Sequence, residues 1–224
     1  MFSKIAKIIA ITFSVVLLSS VGLMIYGGYT FYKSVFRLSF EQTNSSLEKI
    51  EPQCVKFSEC KLQPGDIIVR RYITMVTDLF SKSLNPYVTH SAIYLGDDEL
   101  FEALGNYLEP EDQIQITKLS ESDWMKGDMK NFAIIRPKNL GDKFPKIDLN
   151  LREIANNPDY IFGLLDETKK TASCSDVILK ELIDKKVVVN LSNQPWVITP
   201  DYLFWITLND KSNFEIVGYS VNSK

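Results

Sequence analysis

The chain has 224 residues, 45% hydrophobic and 24% charged, with a formal net charge of −3. That balance excludes a disordered or collagen-like chain. No basic stripe interleaved with aromatics occurs, so nucleic acid is not an expected partner.

Residues 1–7 form a short basic tail, and no charged residue occurs from Ile8 to Tyr32. A helix of that length spans roughly 37 Å, against about 30 Å of bilayer hydrocarbon. Tyr26, Tyr29, Phe31 and Tyr32 gather at one end, where amphipathic rings prefer to sit. A cleaved signal peptide has a shorter apolar core, about 7–15 residues, followed by a small-x-small site. Here the run is longer and no such site follows. The expectation is therefore a retained single-pass anchor over 8–32. Lys4, Lys7 and the terminal amine before it, against Lys33 and Arg37 after it, lean toward an inside N-terminus. The soluble part is then expected outside the cytoplasm.

Residues 33–60 read as a juxtamembrane stalk, helical over Gln42–Ile50, and 61–224 as one domain. About 170 residues can bury a core without metals or disulfides. Cys54 and Cys60 are separated by five residues with no histidine near them, which does not suit a zinc site. They form a small local disulfide if this region is exported and remain thiols if it is not. No cofactor or metal is expected.

Within the domain, the turn signal Pro64-Gly65 precedes a buried strand over Ile67–Val69. Met75, Val76, Leu79 and Phe80 have the spacing of one helical face over Thr74–Leu84. Tyr87–Leu95 reads as a strand, Gly96-Asp97-Asp98 as a turn, and Glu99–Leu104 as the hairpin return. Gln113–Thr117 alternates, with Ile114 and Ile116 on one face, and Asn131–Arg136 is a strand stopped by Pro137. Leu149–Ala155 is a short helix. Cys174–Ile183 is a stronger one, with Ser173 as N-cap and Val177, Ile178, Leu182 and Ile183 as its apolar face. Thr199-Pro200-Asp201 opens another helix, and Phe214–Tyr219 is an edge strand. A small antiparallel sheet flanked by a few helices is an α+β arrangement.

Two residues stand out chemically. At a helix start, unpaired N–H groups and the positive end of the dipole favour thiolate over thiol, and Cys174 has that setting. His90 is the only histidine of the chain, so a mechanism that needs an imidazole has one candidate. A thiolate beside an imidazole is an activated nucleophile, and the same N–H groups can hold an oxyanion. Spacing alone does not bring the two together; a buried structural cysteine and a hydrogen-bonded strand histidine are the alternative. A third group orienting the imidazole would come from Glu102. A three-residue loop over Gly96–Asp98 sets Ala92 opposite Glu102 and puts Glu102 on the face of His90. A two-residue loop turns it to the other face.

These segments together resemble a known series. Leu62-Gln63-Pro64-Gly65-Asp66-Ile67-Ile68, Thr89-His90-Ser91-Ala92-Ile93-Tyr94-Leu95-Gly96, Leu100-Phe101-Glu102-Ala103 and Ser173-Cys174-Ser175-Asp176-Val177-Ile178 resemble the circularly permuted papain-fold hydrolases of the NlpC superfamily, the YiiX/YaeF-like group. Tyr160 and Ile198-Thr199-Pro200-Asp201 also fit that pattern. The resemblance spans about residues 60–206. It implies a permuted papain-like fold, with Cys174 as nucleophile, His90 as base and Glu102 as its orienting carboxylate. It further implies a hydrolase of amides or esters acting through an acyl-thioester on cell-wall peptide, N-acyl or lipid-linked amides. An acyltransferase of the lecithin-retinol-acyltransferase type shares that fold and intermediate. Where the family commonly has Tyr-Cys-Ser-Glu, this chain has Ser173-Cys174-Ser175-Asp176. The lost tyrosine removes a hydroxyl and a ring beside the nucleophile, which keeps a non-catalytic, membrane-anchored binding module among the readings.

Overall fold

The computed structural model describes residues 19–24, 26–30, 38, 40–71, 87–103, 114–125, 131–162, 170–191, 195 and 197–220. The chain divides into two compact units, Met1–Val35 and Phe36–Lys224. In the first, residues 19–24 and 26–30 are helical, while the rest of the expected anchor over 8–32 lies outside the described residues. Among the described residues, no helix is long and apolar enough to cross a membrane. The helix expected over Thr74–Leu84 also lies outside them.

The second unit is an α+β domain built on a six-stranded antiparallel sheet. Its elements are α1 (Phe40–Leu47), β1 (Ile67–Arg70), β2 (His90–Gly96), β3 (Glu99–Ala103), β4 (Ile114–Lys118), β5 (Phe132–Pro137), α2 (Phe144–Ala155), β6 (Tyr160–Phe162), β7 (Lys170–Ala172), α3 (Cys174–Asp184), α4 (Pro200–Asn209) and β8 (Phe214–Ser220). The strand order is β4-β3-β2-β1-β5-β8, and β6 and β7 form a separate parallel pair. Alternation along the strands sorts the core into two. Ile67, Val69, Ile93, Phe101, Ala133 and Ile135 pack with the helices, against Val177, Ile178, Leu179 and Leu182 of α3. Ile68, Ala92, Leu100, Phe132 and Ile134 pack instead with Cys54, Phe57 and Trp124. In α3, Leu179 is fully buried and belongs to the apolar face, while Ile183 is only partly buried.

Three expectations need correction. The stalk over 33–60 is not separate, because the compact unit begins at Phe36 and not at Lys61. Leu47 is fully buried, the Tyr219 hydroxyl donates to the carbonyls of Leu47 and Ile50, and the Tyr87 hydroxyl donates to Asn44. The second helix starts at Phe144 and not at Leu149, since Pro145 is tolerated in a first turn that needs no N–H from it. Ile147 and Leu151 carry its buried face, and Leu149 points to solvent. The hairpin loop is Asp97-Asp98 alone, with both residues at positive φ, and Gly96 pairs with Glu99. A bulge at Leu95, between the Tyr94 and Gly96 pairs, supplies the residue that the shorter loop omits. Ala92 therefore still faces Glu102, as the three-residue loop required.

Two buried carboxylates explain why these segments fold where they do. Gly65 turns at φ +91°, and Asp66 after it accepts from the Gln63 N–H at 2.8 Å and from Arg136 Nε and Nη2 at 2.8 and 2.7 Å. At the opposite end of the strand pair, Asp201 in the first turn of α4 accepts from the backbone N–H groups of Tyr87 at 2.8 Å, Val88 at 3.4 Å and Leu38 at 3.1 Å. It thereby fixes the chain that leads into His90. Each buried N–H left without an acceptor costs about 1–3 kcal/mol. Asp201→Ala is expected to lower stability by about 3 kcal/mol or more on that basis. Thermal unfolding of the full chain checks it, and an unchanged midpoint removes Asp201 as the anchor.

Candidate functional site

Cys174 is the first residue of α3, and the Ser173 hydroxyl caps that helix by accepting from the Asp176 N–H at 3.3 Å. The sulfur therefore stands at the positive end of that helix, where the partial charge of the first-turn N–H groups favours an anion. His90 is the first residue of β2, and its imidazole lies close enough to the Cys174 thiol for the two to shift each other's pKa. Cys174 and His90 are each only 6% exposed. The neighbouring pair Ser91 and Ser175 joins the two elements, hydroxyl to hydroxyl, at 3.1 Å. The Ser175 hydroxyl lies 3.7 Å from the sulfur.

Glu102 meets the far side of the imidazole. His90 Nε2 lies 3.1 Å from Glu102 Oε2, so Nε2 carries the proton toward the carboxylate and Nδ1 is left for the thiol. The same Oε2 accepts from Trp124 Nε1 at 2.9 Å, and Oε1 accepts from the Thr117 hydroxyl at 2.9 Å. Three donors on a carboxylate only 4% exposed make the anion the satisfied form. The Trp124 ring also stacks on the His90 ring, with centroids 5.2 Å apart and planes at 29°. The Arg70 guanidinium lies 4.1 Å from the Trp124 ring centroid and donates to the Asp123 carbonyl at 2.8 Å.

Burial and pairing act against each other on every group here. Burial pushes the Glu102 pKa up, but the hydrogen bond and charge of His90, with the Trp124 and Thr117 donors, hold it at about 2. Burial pushes His90 down, and the bonds and charges of Cys174 and Glu102 outweigh it and raise the imidazole to about 9. Burial pushes the Cys174 thiol up, and the hydrogen bond and charge of His90, aided by Ser91, bring it down to about 7. A thiolate–imidazolium pair therefore forms as the pH rises through about 7 and persists to about 9. Such a pair can attack a carbonyl carbon and protonate what leaves it.

All three residues singled out in the sequence, Cys174, His90 and Glu102, thus lie in one buried chain of contacts. Sequence reasoning missed Trp124, Thr117, Ser91 and Arg70. Trp124 alone carried a signal, as a large ring in the otherwise polar stretch Ser120–Trp124. Among the described residues, no group of His, Cys, Asp and Glu is arranged to hold a metal ion. Compared with known proteins, the chain matches no family model and no curated relative.

Proposed function

We propose that this chain is a membrane-anchored cysteine hydrolase of the permuted papain-like kind, cleaving amide or ester bonds through an acyl-thioester. The observation that carries the reading is the buried line Cys174–His90–Glu102, with the thiol at a helix start and the carboxylate on the second imidazole nitrogen. Cys174 Sγ attacks the carbonyl carbon, the helix-start N–H of Cys174 helps to hold the oxyanion, and the C–N or C–O bond breaks as the imidazolium gives its proton to the leaving group. Water then gives a proton to His90 and attacks the thioester, and the acid leaves as the thiolate is restored. Glu102 keeps the proton on Nε2 and balances the imidazolium charge.

Cell-wall peptide amides and N-acyl or lipid-linked amides are the substrate classes, and an anchor over 8–32 suits both. The Cys54–Cys60 disulfide supports a domain outside the cytoplasm, where such bonds persist. An electrophilic acyl probe directed at thiols is expected to label the full chain at Cys174, with no labelling of Cys174→Ala. An unlabelled native chain overturns the hydrolase and leaves a binding module.

A further inference from the structure

Trp124 belongs to no strand or helix; it sits in a turn after Ser122, whose hydroxyl accepts from the Trp124 N–H at 3.2 Å. Its ring is nevertheless 1% exposed, stacked on His90 and bonded to Glu102. Side-chain neighbours must therefore hold it. One is Arg70. Another is Phe57, whose ring centroid lies 6.5 Å from that of Trp124 and 5.5 Å, edge-on, from that of Phe132.

Phe57 opens a single 3-10 turn, Phe57–Glu59, inside the loop closed by Cys54 and Cys60. A turn of that length has no stability of its own. Its position rests on the disulfide and on the edge of the sheet. The Gln53 N–H donates to the Val217 carbonyl at 2.8 Å, the Tyr219 N–H donates to the Cys54 carbonyl at 3.3 Å, and Cys54 pairs with Gly218 of β8. The Cys54 sulfur fills the space a Cβ at Gly218 would need, so the disulfide lies directly on that backbone. The sequence of contacts runs from β8 through the disulfide, Phe57 and Trp124 to the His90–Glu102 pair.

We infer that Phe57, held by the Cys54–Cys60 disulfide, is a positioning residue for the active pair, keeping the Trp124 ring against His90 and its N–H on Glu102. This rests on the hydrolase reading above. With Phe57 removed or its loop opened, Trp124 loses a wall. The Glu102 carboxylate and the His90 ring then lose what holds them in their 3.1 Å contact, so the imidazolium is less well supported and the thiol ionises at higher pH. Among the described residues, the ionisable groups around the imidazole are Cys174 on α3, Glu102 on β3 and, over the Trp124 ring, Arg70 on β1. Activity then depends on an oxidised Cys54–Cys60 pair, although neither cysteine touches the nucleophile's chemistry.

The test needs no substrate. Alkylation of Cys174 by iodoacetamide is followed against pH on the full chain in detergent micelles, by mass of the Cys174 peptide. The native midpoint is expected near 7. Phe57→Ala, Phe57→Leu and the double change Cys54→Ser with Cys60→Ser are each expected to raise it toward the free-thiol value of about 8.5. A rise of one unit slows alkylation at pH 6 about tenfold. Phe214→Leu, buried in the helix-side core, is expected to lose stability without moving the midpoint. If Phe57→Ala does not fold, Phe57→Leu and the serine pair carry the test. Folded variants with the native midpoint overturn this inference and leave the hydrolase reading intact. A native midpoint near 8.5 overturns both.

Discussion

Cys174→Ala is expected to abolish turnover of an activated acyl ester, by about 10⁴-fold or more, because the covalent route is lost and only binding and oxyanion stabilisation remain. The native chain should show a bell-shaped pH profile. Attack needs the thiolate, whose formation rises through about 7. Release of the leaving group needs the imidazolium, which is lost through about 9. The signs are opposite, so activity climbs on the acid limb, peaks near the middle of that window and falls on the alkaline limb. His90→Ala should remove the alkaline limb and push the acid limb toward the free-thiol value of about 8.5, since burial then acts on the thiol without its partner. A His90→Ala chain that keeps both limbs and the native rate removes the imidazole from the mechanism.

The parts of this site that the sequence revealed share one property: each depends on local chemistry. Ser173 before Cys174 marks a helix start by hydrogen-bonding rules alone, and the structure has that cap. His90 drew notice because it is the only histidine. Glu102 was legible only as a question of parity. Loop length was the wrong quantity to ask about, since a bulge at Leu95 restores the face that a two-residue turn would have reversed. Bulges depend on how a strand fits both neighbours, and β2 is held by β1 on one side and β3 on the other. Trp124 and Thr117 come from separate segments and meet at Glu102 only after folding, with Arg70 of β1 over the Trp124 ring. No periodicity connects them. The segment before Lys61 looked like a stalk because it is polar and mixed, yet single buried residues such as Thr43, Leu47 and Phe57 suffice to dock it.

Glu102→Gln is expected to slow acylation by about 10²–10⁴-fold while leaving the fold nearly intact. The three donors decide how the amide sits. Were its NH₂ turned toward Trp124 Nε1 and His90 Nε2, donors would face donors in a buried site, at about 1–3 kcal/mol for each unmade bond. The amide oxygen therefore takes the place of Oε2, and its NH₂ meets the Thr117 hydroxyl, which can rotate to accept. The imidazole keeps its tautomer and orientation, and only the negative charge is gone. That charge helps raise His90, and through His90 it helps lower the thiol. Removing it lowers the imidazole pKa and raises that of Cys174, so the window for the ion pair narrows from both sides. The acid limb should move up and the alkaline limb down, with the peak rate reduced. Glu99→Gln, in the same hairpin but paired with Arg152 at 2.6 Å and half-buried, should change neither limb. Glu102→Ala should cost more stability than Glu102→Gln, because it leaves Trp124, Thr117 and His90 without their acceptor. If Glu102→Gln turns over the ester at the native rate with both limbs unmoved, the carboxylate is a structural acceptor for Trp124 and Thr117 and takes no part in activating the thiol.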